Sequence, residues 1–98
     1  MKWIYPQLID DLKYYCNKFI NGDIDVQIIQ DKIYKTEMQI VAMEEQWLRK
    51  ILSNIENEIE LSMFTLEDAE LKKNVREKID NLLDILYKFE NDMNYTIL

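Results

Sequence analysis

Apolar residues in the middle of the chain recur at a helical period. With Ile40 as reference and ~100° per residue, Ile29, Ile33, Ile40, Trp47, Ile51 and Ile55 share one face. Tyr34, Val41, Leu48 and Leu52 flank that face. Neither Gly nor Pro interrupts residues 24–64, so the pattern predicts helix throughout. Drawn as one helix, this stretch would be about 60 Å long, beyond what a first helix of about 16 residues can cover. At least one break is therefore expected, either at Lys35, Thr36 and Glu37, where Thr36 is a possible cap, or at Ser53 and Asn54.

The flanking segments read more simply. A first helix is expected from Pro6, a residue suited to the first helical position because its missing N–H has no intrahelical partner. Leu8, Leu12, Tyr15 and Phe19 form its apolar stripe, with Ile9, Cys16 and Ile20 beside it; Asp10, Asp11, Lys13, Asn17 and Lys18 are assigned to water. Asn21-Gly22 stops it, since Gly enters the left-handed conformation cheaply. Asp23 or Asp25 is placed to cap the next helix. Thr65 is expected to cap the last helix, with Asp68 at its third position and Phe64 packed on Ala69 as a hydrophobic staple. Leu71, Val75, Ile79, Leu82, Leu86, Phe89 and Met93 then make one stripe, opposite Lys73, Arg76, Glu77, Asp80, Asp84 and Lys88. The last eight residues are expected to fray, with Tyr95, Ile97 and Leu98 available to dock. The reading is an all-α, single-domain antiparallel bundle of four or five helices spanning residues 1–98.

Composition supports that class. One Gly and one Pro in 98 residues leave too few turn formers for an all-β chain. A domain of this length buries roughly 65% of its unfolded surface, enough for a core without metal or disulfide staples. The single cysteine, Cys16, excludes an intrachain disulfide and reads as a small buried residue in a reducing compartment. The first residues carry acids too early for a secretory signal, and no apolar run approaches a membrane span of ~20 residues. A cytoplasmic protein is expected.

The net charge of −7 disfavours direct binding to nucleic acid or anionic membranes and favours a basic protein partner. The absence of histidine excludes Ser-His-Asp and Cys-His nucleophiles and the Glu-x-x-His ligands of di-iron bundles. With a single cysteine and no Gly-rich loop, neither zinc nor a phosphate cradle is expected, and no cofactor is assigned. Glu37 and Glu44 lie within the central apolar stripe. A carboxylate pair can serve acid–base chemistry, but a structural tie to Tyr14, Tyr15, Arg49 or Trp3 is the favoured reading. The chain is expected not to be an enzyme.

The remaining acids stand apart. Glu56, Glu58, Glu60, Glu67, Asp68 and Glu70 fall in residues 54–70, which contain no Lys or Arg. An ordinary solvated face is one reading. The other is a docking surface for a basic partner, extended by Asp23 and Asp25, with Tyr34 and Phe64 as aromatic anchors.

Three runs carry a resemblance: F-I-N-G-D-I-D from Phe19, K-I-Y-K-T-E-M-Q-I-V-A-M-E-E-Q-W-L-R from Lys32, and E-N-E-I-E-L-S-M-F from Glu56. Together they resemble the small helical immunity proteins of bacterial toxin systems, the contact-dependent growth inhibition and colicin-D-like immunity families. The resemblance implies a protein that binds the C-terminal domain of a cognate toxin in the cytosol, commonly a basic nuclease, and covers its active site or substrate surface. It implies a monomer when free and a 1:1 complex with the toxin. A non-enzymatic adaptor or self-associating structural protein is the alternative.

Overall fold

The computed structural model describes residues 2–91. Its elements are α1 (Pro6–Ile20), α2 (Val26–Gln39), a 3-10 turn (Met43–Glu45), α3 (Gln46–Thr65) and α4 (Asp68–Asn91), so the chain is all-α. Helix α1 packs against α2 and α4, and α3 packs against the same two helices. None of the described helices is long and apolar enough to cross a membrane.

Helix α1 begins with Pro6 in its first turn, as the sequence predicts. Ile9, Leu12, Cys16 and Phe19 are its buried face, while Leu8, Tyr15 and Ile20 are half-buried at the margin. The helix closes on Gly22 at φ 83°. The Gly22 N–H donates to Phe19 O at 3.0 Å and the Asp23 N–H to Lys18 O at 2.9 Å, the paired bonds of a left-handed glycine stop. Asp25 then caps α2, its Oδ1 accepting the Ile28 N–H at 3.0 Å.

The long central segment breaks where neither predicted site lies. Thr36 is buried inside α2 and donates its hydroxyl to Lys32 O at 2.7 Å, and Ser53 and Asn54 are interior to α3. The break comes at residues 40–45. Ile40 turns extended (φ −86°, ψ 95°), Ala42 remains extended, and the 3-10 turn leads into α3. Distant groups take up the freed backbone atoms. The Ala42 N–H donates to the Tyr5 hydroxyl at 3.1 Å, and Arg49 Nη1 donates to Ile40 O at 3.4 Å.

This break shifts the helical phase, and the predicted central stripe is corrected accordingly. Ile29, Ile33 and Ile40 are fully buried, but in α3 the buried residues are Leu48, Leu52 and Ile59. Trp47, Ile51 and Ile55 are only partly buried, and Tyr34 and Val41 are exposed. The carboxylates move with the phase. Glu44 is exposed and Glu37 half-buried, whereas Glu45 is 3% exposed. Glu45 Oε2 accepts the Ile4 N–H at 2.8 Å, and Oε1 has no hydrogen-bond partner among the described residues.

The α3–α4 junction also differs from expectation. Thr65 is the last residue of α3 and donates to Leu61 O; it does not cap α4. The first bond of the next helix runs from the Leu71 N–H to Glu67 O at 2.7 Å. Phe64 is 81% exposed and Ala69 is exposed, so no staple forms there. The α4 stripe agrees with its prediction over Val75, Ile79, Leu82, Leu86 and Phe89, and Leu83 joins it; Met93, Tyr95, Ile97 and Leu98 lie outside the described residues.

The segment ahead of α1 belongs to the core. Trp3 stacks on Phe89, with centroids 4.0 Å apart, and on Trp47 at 5.9 Å. Its Nε1–H donates to Glu90 at 2.6 Å. Lys13, assigned to water by the sequence reading, also turns in to Glu90 at 2.8 Å. Burial lowers the Lys13 pKa, but hydrogen bonds and charge from Glu90 and Asp10 outweigh it and leave the ammonium held above its ordinary value.

Candidate functional site

The acids of α3 point to different neighbours, because residues two apart on a helix face away from each other. Glu56 and Glu60, one turn apart, both reach α2, where the Gln30 Nε2 donates to Glu56 Oε1 at 3.2 Å and to Glu60 Oε2 at 2.6 Å. A single neutral amide thus holds two carboxylates, and neither forms an ion pair among the described residues. Beside them runs a groove of about 310 Å³ lined by Gln27, Gln30, Asp31, Tyr34 and Glu56. Tyr34 is 48% exposed, and Asp31 pairs with Lys35 at 2.8 Å across one turn of α2. That contact raises the Lys35 pKa above its ordinary value.

Glu58 lies on the other side of α3. Lys78 of α4 approaches it at 3.5 Å and donates to Asn74 Oδ1 at 2.8 Å. The expectation that no cation attends the six acids therefore fails at Glu58: residues 54–70 hold no Lys or Arg, but α4 supplies one across the interface.

Glu67, Asp68 and Glu70 surround a shallow concavity at the α3–α4 junction and are all exposed. Phe64 is next to them in the chain, and Leu61, 67% exposed, precedes it by three residues on the same face of α3. Leu61 was missed from sequence, although its spacing from Phe64 marked a shared face. Asp23 and Asp25 stand elsewhere, in a cleft between the α1–α2 turn and α4. Asp25 is already engaged as the α2 cap.

The structure thus divides the ten sequence-predicted residues. Tyr34, Glu56 and Glu60 belong to the α2–α3 groove and its rim. Phe64, Glu67, Asp68 and Glu70 belong to the junction. Glu58 faces α4, and Asp23 and Asp25 face the turn cleft. No protein-family model matches the chain, and no curated protein or solved structure is significantly similar to it.

A further surface had no counterpart in the sequence reading. At the central break, Val41 is 67% and Met43 81% exposed, with Met38 and Ile4 half-exposed. The Ile4 and Tyr5 backbone and side-chain bonds to Glu45 and Ala42 bring the first residues against this same linker.

Proposed function

We propose that this protein is a non-enzymatic, cytoplasmic binding module that neutralises a basic partner protein, in the manner of an immunity protein against a nuclease toxin. The observation that carries the reading is the Glu56–Glu60 pair converging on the Gln30 amide. Like charges one turn apart on a helix destabilise it slightly. A guanidinium from a partner would supply the positive charge that the amide lacks and would bond both carboxylates. Tyr34 and Phe64 offer exposed aromatic area beside the acids, the kind of anchor that dominates interface energetics. A nuclease must be basic where it holds nucleic acid, so an acidic surface of this type can occupy that cleft.

We read the four helices as an antiparallel bundle. Gln30 meets Glu56 and Glu60 while Ile40 meets Arg49, so α2 and α3 run past each other in opposite senses. Lys78 meets Glu58 while Asn74 meets Ser62, which is the same relation for α3 and α4. Such a body presents the groove and the junction on rigid elements, as a 1:1 inhibitor requires.

The test is calorimetric titration with the basic C-terminal domain of a toxin encoded beside this chain, at low and high salt. Expected is 1:1 binding that weakens with salt, with Glu56→Lys/Glu60→Lys weakening it about tenfold or more. An affinity indifferent to both changes would refute the reading. The exposed apolar group at the central break favours one alternative, a self-associating adaptor. Light scattering that finds a stable dimer without partner would support that alternative instead.

A further inference from the structure

The outer side of α2 joins two surfaces of different character. Gln27, Gln30, Asp31, Tyr34 and Met38 recur at a spacing that keeps them within about a third of the helix circumference. All are exposed except Gln30, which is half-buried. At the Gln30 end stand Glu56 and Glu60, which share that amide. Lys35 pairs with Asp31 at 2.8 Å, so Asp31, Glu56 and Glu60 against Lys35 leave this end with a formal charge of −2.

Eight residues on, about 12 Å along the axis, Met38 begins an exposed apolar group that continues into the linker with Val41 and Met43. The bond from the Ile4 N–H to Glu45 brings exposed Ile4 to the same linker. Apart from Lys35, the charged residues flanking this group in sequence cancel: Lys2, Arg49 and Lys50 against Glu37, Glu44 and Glu45. The face is thus acidic at one end and apolar without net charge at the other.

One kind of occupant satisfies both ends. The groove of about 310 Å³ beside Tyr34 lies between α2 and α3, and a groove between two packed helices is a ready seat for a third. Exposed methionines suit such a seat, because the flexible thioether chain adapts to the apolar residue it meets. A second copy fits poorly. Symmetric pairing across this face sets acid end on acid end, or each acid end on the other's apolar group, and neither brings a cation to Glu56 and Glu60.

We propose that α2 from Gln30 to Met38, with the linker beyond it, seats one amphipathic helix of a basic partner protein. Arginines in one turn of that helix meet Glu56 and Glu60, its middle passes over Tyr34, and apolar side chains about two turns on cover Met38, Val41 and Met43. This deepens the proposed capture of a basic protein, on which it rests, by naming the element that is held.

The probes are three synthetic helical peptides added to the whole chain while backbone amide shifts are followed. The first carries two arginines a turn apart and, eight residues on, two leucines a turn apart. The second keeps only the arginines and the third only the leucines, with Gln in place of the others. Expected are saturable shifts from Gln30 through Val41 with the first peptide, and binding about tenfold or more weaker with either half. Met38→Ser/Val41→Ser/Met43→Ser should weaken the first peptide about tenfold, leave the arginine-only peptide unaffected and keep the parent's melting curve, because all three side chains are exposed. Equal affinity of the arginine-only peptide, shifts centred on residues 64–70, no binding by any peptide, or a peptide-free dimer that the triple variant dissolves would each overturn the proposal. The toxin-domain titration decides the wider reading separately. A triple variant that binds that domain as the parent does, while Glu56→Lys/Glu60→Lys still weakens it, leaves acidic capture standing and overturns the helix seat alone.

Discussion

At the scale of single residues, two buried groups have consequences out of proportion to their size. Burial pushes the Cys16 thiol from an ordinary value of 9.0 up to about 12. Above pH 9 the unfolded chain releases this proton and the folded chain keeps it. The folded state then binds more protons, so stability falls as pH rises, by up to about 1.4 kcal/mol per unit between pH 9 and 12. Lys13, whose ammonium is held above its ordinary value of 10.5 in the folded state, acts in the same direction from that pH upward. Urea unfolding at pH 8 and pH 10.5 should show a loss of about 2 kcal/mol from the thiol, which Cys16→Ala removes. An equal slope in that variant would assign the loss elsewhere. Glu45 is the second such group. Its Oε2 is the acceptor for the Ile4 N–H, whereas its Oε1 has no hydrogen-bond partner among the described residues. Glu45→Gln keeps an acceptor for that N–H and removes the buried charge, so it should stay within about 1 kcal/mol of the parent. Glu45→Ala strands the N–H and should cost about 1–3 kcal/mol in the same assay.

At the scale of elements, the start and stop of α1, the cap of α2 and the stripe of α4 were legible because their signals are local, whereas the Thr65 cap expected for α4 did not form. Pro6, the Gly22 stop, the Asp25 cap and the α4 stripe each depend on residues within a turn or two. That the central segment must break was legible from its length, but the position of the break was not, because its causes are remote in sequence. The Ile40–Val41 pair is β-branched, but so weak a preference does not end a helix. The extended backbone of residues 40–42 is sustained by Tyr5, 37 residues away, and by Arg49. Without those contacts a continuous wheel is the natural reading, and it sets the residues of α3 one position out of phase. The continuous wheel therefore points Glu44 and Trp47 inward, where the structure buries Glu45 and Leu48. The dependence is testable. Tyr5→Phe leaves the Ala42 N–H without its acceptor and should cost about 1–2 kcal/mol. Hydrogen exchange at Ala42 should accelerate, while amides in the middle of α4 change only in step with global stability. An unchanged Ala42 would mean that the linker holds its shape without Tyr5.

At the scale of the whole molecule, the sequence revealed the sign of the surface but not its partition. A run of acids free of Lys and Arg reads as one patch, yet helical geometry sends alternate members to different neighbours. Glu58 thereby acquires Lys78 from α4, which no local reading of residues 54–70 contains. Among the described residues, Glu56 and Glu60 acquire only the Gln30 amide. Under the proposed function, the three glutamates should therefore contribute unequally to capture of a basic partner. A charge of −7 steers a cationic protein from a distance, and every carboxylate shares in that field. Removing any one should slow association slightly and lessen its salt dependence. Dissociation is governed by close contacts, and there the acids differ. Glu56→Gln/Glu60→Gln removes the pair poised for a guanidinium and should raise the dissociation rate about tenfold or more. Glu58→Gln removes a charge already opposed by Lys78 and should leave that rate within about twofold. Stopped-flow association and surface-immobilised dissociation with the same partner separate the two effects. If Glu58→Gln accelerates dissociation as much as the Glu56 and Glu60 changes, the partner reads the acids as an undivided patch, and the groove beside Tyr34 has no special part in holding it.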